Sequence, residues 1–166
     1  ETGIIGAADR ILRSYFELTN QAIEQNPRPE YVIWPETAYP STFGTPTGMG
    51  ELARDEWMRH FVRQKQVALL FGGYDRREGK DYNAFFMLSP QTRTPFFSQQ
   101  VYQKSILLIF GEYIPFADQI EWIKTTFPQV GNFGKGPGPS VYVVPGTSGR
   151  SLRITPIICY EVLFPQ

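Results

Sequence analysis

The sequence predicts a mixed α/β domain built in layers. A long amphipathic helix opens the chain, a short apolar strand and a second helix follow, and several strands then come in succession. Its 166 residues suffice for one domain with a sizeable core.

Ile4, Ala8, Ile11, Leu12, Tyr15, Leu18 and Ala22 recur at three- and four-residue steps, which predicts a helix over about residues 5–25. Asn26-Pro27-Arg28-Pro29 ends it. Tyr31-Val32-Ile33-Trp34 is an apolar run of β-formers, expected to be a buried strand that delivers Glu36 at its C-terminal end. Residues 40–50 form a Pro, Gly, Ser and Thr loop, and a helix near 51–65 should turn Leu52, Trp57 and Phe61 inward. Strands are expected at Val67–Tyr74, Asn83–Leu88 and Phe96–Lys104, with turns at Arg76–Lys80 and Ser89–Thr94, an order that suits a meander.

Gly111–Phe116 leads to a short helical segment near 118–127, and Gly131–Pro139 is a glycine and proline loop. Val141–Val144 and Leu152–Ile158 form a hairpin across Pro145–Arg150, the second strand running straight into Cys159. Both ends look cut: no strand precedes the first helix, and the sequence stops seven residues after Cys159, short of the helix expected beyond it. With edges and apolar faces exposed in this way, the 166 residues alone are expected to be poorly stable or dependent on a partner, and catalytically weak.

Sixteen basic and sixteen acidic side chains cancel, so no global field attracts nucleic acid. The longest uninterrupted aliphatic and aromatic run, Ile106–Phe110, is far shorter than the roughly 20 residues that cross a bilayer. It is either a solvent-facing apolar loop that meets a membrane surface or the buried continuation of the preceding strand. The N-terminus carries no signal-peptide pattern. One cysteine and one histidine allow neither an internal disulfide nor a Cys/His zinc cluster, and no metal or cofactor is expected.

Cys159 is therefore either a packing residue or a nucleophile. Its company favours chemistry, because Glu36 and Lys104 end two other apolar strands, and a carboxylate and an amine there are costly to bury unpaired. A thiol with an ordinary pKa near 8.5 needs a base or cation beside it to react at neutral pH. Glu36 can take the proton and Lys104 can stabilise the anion. His60 lies within the polar, amphipathic second helix and reads as a surface or half-packed residue, and no Gly-x-Ser-x-Gly segment offers a serine instead. Gly48-Met49-Gly50-Glu51-Leu52-Ala53 matches a dinucleotide pattern only formally, since no strand precedes it, and Gly134-Lys135-Gly136-Pro137 lacks phosphate-loop spacing.

Trp34-Pro35-Glu36-Thr37-Ala38, Tyr102-Gln103-Lys104 with Phe110-Gly111-Glu112-Tyr113-Ile114-Pro115, and Ile158-Cys159-Tyr160-Glu161 occur in the order found in a known family. They resemble the nitrilase superfamily of carbon–nitrogen hydrolases, and within it the periplasmic domain of the apolipoprotein N-acyltransferases. The likeness runs through nearly all of the chain, including Tyr15-Phe16-Glu17-Leu18-Thr19. It departs at Ser105-Ile106-Leu107-Leu108-Ile109, where the family usually has a histidine and a proline.

The resemblance implies a layered α-β-β-α sandwich, incomplete at both ends, with residues 1–166 forming a single, partial catalytic domain. It implies a Glu36, Lys104, Cys159 triad, with Glu112, Tyr160 and Glu161 in support. Glu112 would orient Lys104 or the incoming amine, the Tyr160 N–H would face the oxyanion, and Glu161 would buttress the turn. The implied reaction moves an acyl group from a phospholipid, through a thioester, to the N-terminal diacylglyceryl cysteine of a lipoprotein. The implied setting is the bacterial inner membrane, facing the periplasm and anchored by flanking helices absent here. Two alternatives are a nitrilase-type amidase and a catalytically inactive lipid- or protein-binding domain.

Overall fold

A computed structural model describes residues 2–90, 100–109, 111–113, 133–146 and 148–164. Among these, helix α1 spans Thr2–Ile23 and α2 spans Met49–Lys65. The strands are β1 (Tyr31–Ile33), β2 (Ala68–Arg77), β3 (Lys80–Leu88), β4 (Gln100–Gln103), β5 (Tyr142–Pro145) and β6 (Ser151–Ile154). A short 3-10 helix covers Cys159–Leu163.

Strand β2 organises the molecule. It pairs parallel with β1 and antiparallel with β3, which pairs antiparallel with β4, giving the sheet order β1-β2-β3-β4. The expected meander is β2-β3-β4. Successive side chains of a strand point to opposite faces. Leu69 and Phe71 therefore join Leu12 and Phe16 of α1 and Met58, Phe61 and Val62 of α2 in one apolar cluster. Ala68 and Leu70 join Met87, Tyr102, Val144 and Ile158 in a second cluster on the other face, closed by the β5–β6 ribbon. Helices thus cover one face and strands the other, which is why β2 is an almost continuous buried run.

Trp34 links the helical layer to β1: its indole Nε1 donates to Thr19 Oγ1 at 2.9 Å, and its ring stacks on Tyr15. In the neighbouring loop, Asp55 of α2 accepts from the Tyr39 hydroxyl at 2.5 Å and from Gly44 N at 2.8 Å.

Several expectations are corrected. Strand β1 is not fully buried, because it is the sheet edge and Ile33 remains 65% exposed. Of the three residues expected to point inward from α2, Phe61 is buried while Leu52 and Trp57 are half-buried. The expectation for Gly48 holds instead: it caps α2 at a turn and helix start. Strand β6 stops at Ile154 instead of running into Cys159. Pro156, which has no N–H, cannot continue the ladder. Residues 104–109 do not continue β4 as a buried strand; Leu108 and Ile109 are exposed in a loop. The expected helix at 118–127 and most of the 89–94 turn and of the first half of the Phe96–Lys104 strand lie outside the described residues. No helix among the described residues is long and apolar enough to cross a membrane.

Candidate active site

Glu36 sits in the turn that leaves β1. Trp34 N donates to Leu70 O at 2.8 Å, extending the parallel pairing one residue before the chain turns at Pro35. Thr37 then adopts a left-handed backbone, with φ of 52°. This turn lies flat on β2 because residue 72 is glycine. A Cβ there would come within 2.6 Å of Glu36 Cα and 2.7 Å of Thr37 N, too close for any other residue without backbone movement. Gly72 also donates to Pro35 O and accepts from Tyr39 N. The Glu36 side chain is exposed, and its Oε1 accepts from Asn83 Nδ2 at 2.8 Å.

Lys104 follows β4, and its backbone N donates to Asn83 O at 2.8 Å. Its ammonium is buried, with 2% of the side chain exposed, and donates to Glu112 Oε1 at 2.8 Å. Glu112 Oε1 also accepts from Asn83 Nδ2 at 2.9 Å, while Oε2 accepts from Leu108 N. Burial raises the Glu112 pKa. The Leu108 N–H, Lys104 and Asn83 together outweigh burial and hold the carboxyl below its ordinary value. The Tyr74 phenol is pushed up by burial and then by the charges of Glu36 and Glu112. Its ring stacks on Phe133, and the two wall a cleft of about 270 Å³ that is lined also by Ser41, Glu51, Arg76 and Asp81.

The loop from Gly134 to Gly136 closes over Lys104. Gly136 N donates to Lys104 O at 2.8 Å, and a Cβ on Gly136 would fall 2.1 Å from Gln103 O. Gly136 serves this close approach, and Gly134 serves another, since a Cβ there would fall 2.3 Å from the Tyr82 ring.

Cys159 is an exposed free thiol at the first position of the 3-10 helix. Its φ of 52° places a non-glycine residue in the left-handed region, a conformation that costs about 1–3 kcal/mol and concentrates at functional turns. Glu161 secures this turn from beneath. It is 1% exposed; Oε2 accepts from Ile158 N at 2.9 Å, and Oε1 accepts from Ser105 N at 2.7 Å and Ile106 N at 3.0 Å. The Tyr102 hydroxyl donates to the same carboxylate. Burial raises the Glu161 pKa, but these donors bring it below the ordinary glutamate value, and the Tyr102 phenol is raised to about 12. Tyr160 is half-buried, with its ring edge-on to Phe164.

Glu36, Lys104 and Glu112 therefore form one hydrogen-bonded group through Asn83. Cys159 and Tyr160 reach it indirectly, through Glu161 and the backbone next to Lys104. Among the described residues, no hydrogen bond joins Cys159 directly to Glu36 or Lys104, and no cluster of three or more His, Cys, Asp or Glu is placed to hold a metal ion. His60 is exposed on α2. Sequence reasoning missed Gly72 and Asn83. The signals for them were a Gly72-Gly73 pair inside an apolar strand and one amide ahead of the apolar run of β3.

The scaffold is a layered α/β fold that carries a buried Lys104–Glu112 ion pair and an exposed thiol. The carbon-nitrogen hydrolase family model matches residues 7–166, and the chain belongs to that family. Among relatives, the apolipoprotein N-acyltransferase of Bdellovibrio bacteriovorus is 29% identical over 94% of this chain and 29% of that protein. The protein of the same name from Caulobacter vibrioides is 33% identical over 94% of this chain and 29% of that protein. The chain thus spans under a third of the length of these curated relatives. A CN-hydrolase superfamily protein from Xanthomonas campestris has the same fold, with a TM-score of 0.59, 18% identity, and coverage of 95% of this chain and 50% of that one. An N-terminal amidase matches with a TM-score of 0.54 and 13% identity over 90% of this chain and 35% of that one.

Proposed function

We propose that this chain is the catalytic domain of an enzyme that moves a fatty acyl group from a phospholipid to the N-terminal amine of a lipoprotein. The observation that carries this reading is the similarity, over 94% of the chain, to proteins named apolipoprotein N-acyltransferase. The buried Lys104–Glu112 pair and the strained turn at Cys159 are the chemistry it needs.

Cys159 gives its proton to Glu36, and Sγ attacks the ester carbonyl of the phospholipid. The tetrahedral oxyanion faces the Lys104 ammonium and the Tyr160 N–H, contacts of a kind worth about 3–4 kcal/mol in a transition state. The C–O bond breaks, and the lysophospholipid oxygen leaves with the proton held by Glu36. The lipoprotein amine then attacks the thioester carbonyl and loses a proton to Glu36. The C–S bond breaks, the amide departs, and the proton returns to Sγ. Glu112 orients the Lys104 ammonium, while Glu161 holds the nucleophile turn. The domain works at the bacterial inner membrane facing the periplasm, in a protein whose further segments anchor it there.

The test is incubation of the full-length protein with a labelled phospholipid and a diacylated lipopeptide. Transfer of label to the peptide amine, with a Cys159 acyl adduct detected by mass spectrometry and absent from Cys159→Ala, is expected. Ammonia release from small amides without acyl transfer would assign an amidase instead. A thiol no more reactive toward acyl probes than free cysteine would mark a binding domain.

A further inference from the structure

Asn83 is 4% exposed on β3, opposite Tyr74 in the β2–β3 register. Its Nδ2 carries two N–H bonds, and the two acceptors are carboxylates: Glu36 Oε1 at 2.8 Å and Glu112 Oε1 at 2.9 Å. Its backbone carbonyl accepts from Lys104 N at 2.8 Å. The orientation of the amide follows from chemistry, because Oδ1 turned toward two carboxylates would set lone pairs against lone pairs. Held this way round, Oδ1 is buried and accepts no hydrogen bond among the described residues. Leaving a buried acceptor unmatched is unfavourable, so a residue chosen only for packing would not be an asparagine here.

We infer that Asn83 is a positioning residue for acyl transfer: it bridges Glu36 to the Lys104–Glu112 pair and fixes the angle between proton acceptor and oxyanion-facing ammonium. No other side chain among the described residues donates to both carboxylates. The inference rests on the acyl-transfer reading for its reaction, but the bridge itself is independent of which acyl donor is used.

The charged and titratable groups around the bridge are Glu36, Glu112, Lys104 and the Tyr74 phenol. Asn83 is one of the groups that hold the Glu112 carboxyl down. Asn83→Leu keeps the branch at Cγ but removes that donor, and Asn83→Asp replaces it with a third carboxylate. Either change raises the Glu112 carboxyl toward neutrality, more so for aspartate.

In the full-length protein, N83L and N83D are expected to slow Cys159 acylation by labelled phospholipid about tenfold or more at pH 7, since a hydrogen bond to a charged group is lost. KM for the donor should be unchanged. The acid limb of the rate profile should move to higher pH, further in N83D, so that raising the pH recovers part of the rate. Wild-type rates with an unmoved acid limb overturn the inference. So does a loss of the same fraction at every pH, which is what a purely structural role would give. Alkylation of Cys159 by iodoacetamide across the same pH range separates the two readings. If wild type forms no acyl adduct, the acyl-transfer reading fails. The bridge is then judged on whether N83L and N83D shift the alkylation profile; an unshifted profile overturns it.

Discussion

Ser105 N donates to Glu161 Oε1 at 2.7 Å, so the backbone that follows Lys104 is fastened to the turn that begins at Cys159. The same carboxylate takes Ile106 N, Ile158 N and the Tyr102 hydroxyl. Glu161→Gln turns an NH₂ toward some of these donors and leaves buried N–H groups without acceptors. Stability should fall by about 2–4 kcal/mol, read as a lower Tm of the purified protein. Acyl transfer should fall at least tenfold, because Cys159 and Lys104 lose their shared anchor. An unchanged Tm would show that the carboxylate is not the fastening.

Glu112 and Glu161 are both held below the ordinary glutamate value of 4.5. A carboxyl depressed in the folded state stabilises it fully above the unfolded pKa, and that contribution is lost as pH falls through the folded pKa. Asp55 acts in the opposite direction. Burial raises its carboxyl above 3.8 despite the Tyr39 and Gly44 hydrogen bonds, so its contribution is present below 3.8 and lost as pH rises through the folded value. Glu51 joins them, since hydrogen bonds from Ser41 and Thr47 outweigh its burial, so with three groups against one Tm should decline as pH is lowered below about 4.5. Glu161→Gln should flatten that decline. A Tm as steep with pH in the variant as in wild type would contradict the assignment.

The Lys104–Glu112 pair is buried on the lysine side, and removing one partner of such a pair costs about 3–5 kcal/mol because a charge is left unpaired. Glu112→Gln should therefore lower Tm and reduce acyl transfer by about 100-fold, the scale of a lost oxyanion contact. Lys104→Met combined with Glu112→Gln removes both charges. It should recover much of the stability and none of the activity. Recovery of neither would mean that Glu112 supports the fold through Leu108 N and Asn83 more than through the ammonium.

Helices α1 and α2, the meander and the turn carrying Glu36 were legible because each rests on a local pattern. A 3.6-residue period marks α1, and a β-former run ending at Pro35-Glu36 marks β1. The roles of Gly72 and Asn83 were not, because they arise only from cross-strand placement. Gly72 matters where the Glu36 turn lies across β2, and Asn83 where β3 comes between Glu36 and Lys104. The turn at Cys159 was misread as the end of a strand. Pro156 is the local sign that the ladder stops earlier, and the left-handed φ of Cys159 has no sequence mark because the residue is not glycine.

Leu108 and Ile109 are 40% and 53% exposed, beside the buried Lys104. Their loop is held in shape: Leu108 O accepts from Gly111, Glu112 and Tyr113 N, and Leu108 N donates to Glu112 Oε2. Apolar side chains kept in solvent on a fixed loop, next to a site proposed to take a lipid ester, favour contact with a bilayer surface or an acyl chain. Each contributes on the order of 1 kcal/mol when half of its apolar area leaves water. Leu108→Ser with Ile109→Ser should therefore raise KM for phospholipid in vesicles about tenfold or somewhat more, with kcat nearly unchanged. A short-chain, water-soluble ester donor should show no such difference, since it presents no bilayer. Equal KM values for vesicle donor in wild type and variant would remove these side chains from lipid contact, and equal losses with both donors would mean that the loop acts instead through its hold on Glu112.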